Sequence, residues 1–158
     1  MEVLLITPRG GEGWIIPKGK VNARLGARRS AAREAVEEGG VRGKIDPTPF
    51  DQYRHGGRED GPSVAVFLMA VTRELSSWAE AHQRERRWAT LDEVPRLVVD
   101  AGLARVLRTA AEHLSTHAPT AWLAVDAAAR RRTRARRMGL AGSALLLAAL
   151  GVAAAFLS

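Results

Sequence analysis

Apolar residues fall in short blocks separated by Gly and Pro, with one uninterrupted run near the C-terminal end. Residues 3–7 form an apolar strand pattern that Pro8 and Gly10-Gly11 stop. Residues 14–16 predict a second strand, stopped by Pro17. Residues 63–72 are β-branched and apolar on both faces, which predicts a central strand, and residues 86–89 predict another. Residues 28–38 are rich in Ala, Arg and Glu and run into Gly39-Gly40, so they predict a helix with a glycine stop. Residues 91–98 and 100–114 predict two more helices. In the last of these, Leu103, Val106, Leu107, Ala110 and Leu114 line one stripe. The body of the chain therefore reads as mixed α+β.

Residues 138–157 carry no charge over 20 positions, the length needed to cross a hydrocarbon core of about 30 Å. They predict a C-terminal transmembrane helix rich in small residues. Arg130, Arg131, Arg132, Arg134, Arg136 and Arg137 stand just before it. Such a cluster is expected to stay on the cytoplasmic side and to meet anionic lipid headgroups. The organisation expected is a domain over 1–115, a linker over 116–137 that includes Trp122, and a single-pass anchor over 138–157. A buried Ala/Leu-rich core helix is the alternative; an interfacial helix is disfavoured because the run has no polar face.

The net charge of +7 changes little in this picture. Residues 1–115 hold 18 Lys/Arg and 16 Asp/Glu, while residues 116–158 hold 6 Arg and 1 Asp. The body is nearly neutral, so a domain-wide nucleic-acid footprint is not expected. With no cysteine in the chain, disulfides, thiolate chemistry and Cys-based zinc sites are excluded. The first residues lack the basic-then-apolar pattern of a signal peptide.

The stretch that carries chemistry is Pro17-Lys18-Gly19-Lys20 followed by residues 33–41. Glu34, Glu37 and Glu38 stand at i, i+3 and i+4, so their carboxylates share one face of the predicted helix. Leu25, Ala32 and Val36 are expected to pack the other side. Three carboxylates on one face repel one another unless a cation neutralises them. Hard divalent cations take oxygen ligands and commonly accompany phosphates. A glycine turn ahead of the helix lets backbone approach a phosphate or a metal. A solvated acidic helix face is the plain alternative.

The spacing of these residues resembles the box of the Nudix hydrolases, G-x5-E-x7-R-E-U-x-E-E-x-G-U, where U is a bulky aliphatic residue. Gly19, Arg33, Glu34, Glu37, Glu38, Gly40 and Val41 match it. Residues 14–19 resemble the entry to the box in the subgroup that acts on diphosphoinositol and diadenosine polyphosphates. Trp78-Ala79-Glu80, residues 84–88 and residues 91–94 are similar to later parts of that subgroup. The resemblance covers residues 3–115.

The resemblance implies an α/β/α sandwich with a mixed sheet and an Mg²⁺ (or Mn²⁺) cofactor. Glu37 and Glu38 would be the main metal ligands, Glu34 a further ligand or the base that activates water. The Gly19 carbonyl would add a ligand, and Arg33 would hold the carboxylates. The implied activity is hydrolysis of a diphosphate linkage in a phosphorylated small molecule, by water attack on phosphorus. A late Glu, Glu80 ahead of Glu85, is a candidate extra metal ligand. Lys18, Lys20 and Arg54 are candidate substrate contacts, with solvated charge as the alternative. Arg54, His55 and Arg58 sit in a Gly-rich loop that would cover the substrate or lie on the surface. His82, His113 and His117 have no ligand spacing.

The sequence departs from the box at Leu25, where the first Glu stands, and at Ala35, where a larger aliphatic residue stands. The family also usually has a strand before the one at residues 3–7. Its lack implies a start upstream or an exposed sheet edge at that strand. These departures keep a second class open, a Nudix-fold binding or regulatory module with weakened catalysis. A third, a small membrane protein with an Arg-rich nucleic-acid arm, rests on the tail alone.

Overall fold

The computed structural model describes residues 2–116 and 149–157. Strand β1 (Glu2–Ile6) is fully buried from Val3 to Ile6. Then follow β2 (Lys18–Lys20), helix α1 (Gly26–Glu37), β3 (Val41–Ile45) and β4 (Asp51–Arg54). The long β5 (Ser63–Glu74), β6 (Arg86–Thr90), α2 (Val94–Leu97), α3 (Ala101–Thr116) and β7 (Ala149–Leu157) complete the order. The sheet runs β3-β5-β7-β1-β6, with β4 also on β5 and β2 also on β7. It is mixed, since β7 is antiparallel to β5 but parallel to β1 and β2.

Side-chain alternation along the strands builds a core on each face of this sheet. On one face Leu4, Ala65, Phe67, Met69 and Ala155 meet Ala31 and Ala35 of α1. On the other Val3, Leu5, Val64, Val66, Leu68 and Ala154 meet Leu103, Val106 and Leu107 of α3. The predicted stripe of α3 is therefore its buried face, Ala110 and Leu114 included. The strand expected at 63–72 is β5, and it is central. Residues 14–16 make only an isolated bridge, Ile15 to Ile6. The helix expected at 91–98 is shorter, with Val94–Leu97 as its helical turn. In α1, Ala31 and Ala35 supply the packing, while Leu25 is exposed and Ala32 and Val36 are half-buried. Ala35 is small for its place in the box, and it lies against the sheet in the same cluster as Ala155.

The C-terminal run requires a correction. Residues 149–157 are a β-strand inside the sheet, so a transmembrane helix over 138–157 is not formed. Among the described residues no helix is long and apolar enough to cross a membrane. With it falls the basis for a single-pass anchor, a cytoplasmic-facing domain and a lipid partner. The linker beyond Thr116, Trp122, the Arg cluster and residues 138–148 lie outside the described residues. The physical reason is that an apolar segment bounded by nothing but more apolar residues has no period to distinguish a helix from a fully buried strand. Between β1 and β5 such a strand has backbone partners on both sides, in register from Ser63↔Leu157 to Ala70↔Leu150. For the same reason β1 is not an exposed edge: β6 pairs with one side and β7 with the other.

Because the chain has no cysteine, this placement can be checked without background thiols. Val66 and Ala154 are register partners on the same face. A Val66→Cys, Ala154→Cys double variant should close a disulfide on mild oxidation, since antiparallel partners lie within bridging distance. Two free thiols in the folded protein, counted by mass spectrometry after alkylation, would take β7 out of this position.

Candidate functional site

The site grows from the passage out of β2 into α1. Asn22 shapes that turn: its carbonyl accepts from the Leu25 and Gly26 amides, and its own amide donates to Ser30 Oγ at 2.9 Å. Leu25, at the N-cap, makes no side-chain cap. Gly19 passes so close to α1 that a Cβ there would lie 2.3 Å from the Glu34 carboxyl carbon. A side chain at this position would push the Glu34 carboxylate aside. The structure thus brings the Gly19 backbone and the Glu34 carboxylate together.

At the other end α1 stops at Gly40, whose φ of +62° and contact with the Trp78 ring both exclude a side chain. The Trp78 indole N–H donates to the Glu38 carbonyl at 3.1 Å, and the Glu80 amide donates to the Glu37 carbonyl at 3.1 Å. Arg86 covers the other part of Trp78, 4.4 Å from its ring centroid. The turn that carries Glu80 is therefore pinned to the C-terminal end of α1, which is how a carboxylate so distant in sequence reaches the box.

The box carboxylates stand in different surroundings. Glu34 and Glu38 are on the buried side of α1, whereas the Glu37 side chain is 46% exposed. Arg33 donates to Glu34 Oε1 at 3.2 Å, and its Nε lies 3.6 Å from Glu37 Oε2. Glu38 is held at both oxygens. The Lys18 amide donates to Oε2 at 2.8 Å, and the Arg84 guanidinium donates to Oε1. Arg84 also donates to Glu80 Oε2 at 2.6 Å and to the Thr7 carbonyl at 2.7 Å. Glu80 Oε1 takes Arg9.

Burial pushes the Glu38 carboxyl above the usual range, against the pull of Lys18 and Arg84 and with the help of the Glu80 and Glu34 charges. Burial alone would raise Glu80 as well, but Arg84 and Arg9 outweigh it and hold it below. Burial lowers the Lys18 ammonium, which stands 5.0 Å from the centroid of the Phe156 ring.

These contacts amend the electrostatic reading of the sequence. The like charges on α1 are neutralised in part by the chain's own arginines, Arg33 and Arg84, so their proximity does not by itself demand a metal. As the side chains stand, no three His, Asp or Glu groups among the described residues converge on one point. The donor chemistry still suits a hard cation, being carboxylate oxygens with the Gly19 backbone close to Glu34.

Of the other candidates, Lys18 is at the box and Lys20 is exposed at the end of β2. Arg54 is elsewhere. It donates to the Gly61 carbonyl at 3.1 Å and lines an open cavity of about 420 Å³ with Arg58 and Arg105, which contains no box residue. The loop around His55 is fastened to the start of α3, where Asp100 accepts from the Gly56 amide at 2.9 Å and from the Leu103 amide at 3.0 Å. Glu85 is exposed, and its amide takes Thr7 Oγ1. His82 is exposed, His113 packs on Phe50, and His117 lies outside the described residues. Sequence reasoning missed Arg84 as a site residue. Its signal was the Glu80-to-Arg84 spacing of four, which makes an ion pair across one turn.

The family model described as NUDIX domain matches residues 1–110. Nudix hydrolase 4 of Arabidopsis thaliana is 34% identical over 97 residues, 59% of this chain and 45% of that protein. Nudix hydrolase 16, mitochondrial, of the same plant is 35% identical over 100 residues, 59% of this chain and 56% of that protein. Diphosphoinositol polyphosphate phosphohydrolase 2 of Rattus norvegicus is 29% identical over 100 residues, 61% of this chain and 54% of that protein. The chain spans about half the length of the curated relatives it matches. No solved structure matches.

The burial of Glu38 has a measurable sign. Its raised pKa means that the neutral form stabilises the folded, metal-free chain fully below the ordinary carboxylate value. That contribution is lost as pH rises through the raised one. Glu38→Gln stays neutral at every pH. In chelator, the melting temperature of the parent chain should therefore fall relative to that of the variant as pH rises from 4.5 to about 7. A gap moving in the parent's favour would mean that the Arg84 pair outweighs burial.

Proposed function

Because this chain belongs to the Nudix family, we propose that it hydrolyses a diphosphate linkage with the aid of a divalent cation, Mg²⁺ or Mn²⁺. The substrate class is a nucleoside diphosphate derivative or a nucleoside, dinucleoside or inositol polyphosphate. The observation that carries the reading is the close seating of the Gly19 backbone on Glu34, on the helix that also bears Glu37 and Glu38. The rat relative's name supports the inositol polyphosphate branch of the class, and the plant relatives' names support hydrolysis without naming a substrate.

The residues that would hold the cation are Glu34, Glu37 and Glu38 with the Gly19 carbonyl, and Glu80 as a further carboxylate. When bound, it supplies Lewis acidity, screening the diphosphate charge and making a water acidic enough to attack. The chain supplies position and electrostatics, which dominate phosphoryl transfer. Arg33 holds Glu34 by Oε1, leaving Oε2 to receive the proton of the attacking water. Arg33 also steers Glu37. The Lys18 ammonium, short of an ion-pair partner among the described residues and held over Phe156, would meet a phosphate oxygen, and Lys20 would extend that positive edge. Arg54, away from the box, contacts only a substrate long enough to reach the β4 side.

A second reading has support of its own. Leu25 replaces a box carboxylate and is exposed, and Glu38 and Glu80 are already paired to arginines. A binding module of this fold would keep the loop and lose turnover.

The test is phosphate or nucleotide release by the full chain over a panel of these compounds, with Mg²⁺, with Mn²⁺ and with chelator. Turnover should require the metal. Glu37→Gln with Glu38→Gln should lower it by about 100-fold or more, beyond the cost of losing an outer-shell partner. A folded protein that binds these compounds and turns none over would establish the binding module instead.

A further inference from the structure

Among the described residues Arg84 is the one buried cation that touches two candidate metal-site carboxylates at once. Its side chain is 6% exposed, and every arm of the guanidinium is used: Nη2 on Glu38, Nε on Glu80 and Nη1 on the Thr7 carbonyl. A charge taken out of water this completely is costly unless paired, so the arrangement is held tightly. Its location matters as much as its burial. The guanidinium lies between Glu38 and Glu80, where a cation shared by those two carboxylates would have to sit. Each Glu38 oxygen already accepts one hydrogen bond, Oε2 from the Lys18 amide and Oε1 from Arg84.

We propose that Arg84 is a resident counter-ion that competes with the divalent cation for Glu38. Without metal, Arg84 neutralises Glu38 and Glu80 and keeps both carboxylates folded inward. Glu38 becomes available as a ligand only when Arg84 releases Oε1 and retains Glu80 and Thr7. Arg84 is then a positioning residue that sets metal affinity, and Glu80 is its anchor during the exchange. The proposal rests on the metal-dependent reading above.

The exchange is read by nuclear magnetic resonance of protein labelled with ¹⁵N-arginine, titrated with Mg²⁺ and no substrate. Arg84→Lys assigns the Arg84 Nε–H signal. In the parent chain that signal should shift in step with the Gly19 and Lys18 amides as metal binds. Arg84→Gln should bind Mg²⁺ about tenfold more tightly by calorimetry, the scale of a typical coupling between competing ligands. Because removing a buried partner also threatens the fold, Arg84→Lys is the companion variant. It keeps a cation beside Glu38 and should hold Mg²⁺ affinity near that of the parent chain, a rescue that a merely structural role would not give.

Metal binding that moves the Gly19 amide and leaves Arg84 Nε–H still would overturn the proposal, as would equal or weaker binding by folded Arg84→Gln. Absence of binding in parent and Arg84→Gln alike would overturn it too. The two ideas separate cleanly. Metal-dependent turnover with an unresponsive Arg84 sinks only the counter-ion. A responsive Arg84 in a chain that turns nothing over sinks only the hydrolase.

Discussion

A carboxylate removed from water needs partners, and Glu38 draws its own from distant parts of the chain. The Lys18 amide comes from β2, and the Arg84 guanidinium comes from the turn before β6. Through Arg84 the network reaches the carbonyl of Thr7 at the end of β1 and the carboxylate of Glu80, and through Glu80 it reaches Arg9. Each partner satisfies a charge or a dipole that would otherwise be stranded at a buried position. The geometry of the box is therefore a property of several strands and turns and not of α1 alone. Gly19 lies against Glu34 while the Lys18 amide beside it is held by Glu38, one helical turn further along.

The sequence revealed the parts whose physics is periodic or local. The stripe of α3 from Leu103 to Leu114, the apolar β5 and the glycine stop of α1 each need only a few neighbouring residues to be read. The box was legible for the same reason, as one loop and one helix. What escaped was set by contacts far apart in the chain. β2, β3 and β4 are three to five residues long with half their side chains in solvent, too short for alternation to speak. Arg84 entered the sequence reading only as part of residues 84–88, with no role of its own. Its role follows from burial, which no local pattern encodes. Arg54, a candidate substrate contact in a Gly-rich loop, is carried by β4 to the α3 side of the molecule, in a cavity that no box residue lines.

The apolar run at the C-terminal end shows how length alone misleads. Twenty uncharged residues satisfy the requirement for a membrane span, yet an open slot in a sheet also selects for small and β-branched apolar residues. Ala154 and Ala155 are both fully buried, one on each core. Their small side chains suit a strand that has helix-bearing layers above and below it. Ala35 has the same character where the family has a larger residue, and the two alanines share a core cluster.

The position of β7 also imposes an order of events on the growing polypeptide. β1 emerges first and β7 last, yet the two are adjacent, with Glu2 opposite Ala149. Until the last strand has left the ribosome, β1 and β5 each present a backbone edge with unmet amides and carbonyls. Such late, long-range pairing slows folding and lengthens the exposure of sticky edges during synthesis. A nascent chain of this kind has reason to engage chaperones until β7 arrives, even though six of the seven strands and all the helices among the described residues are already made by then.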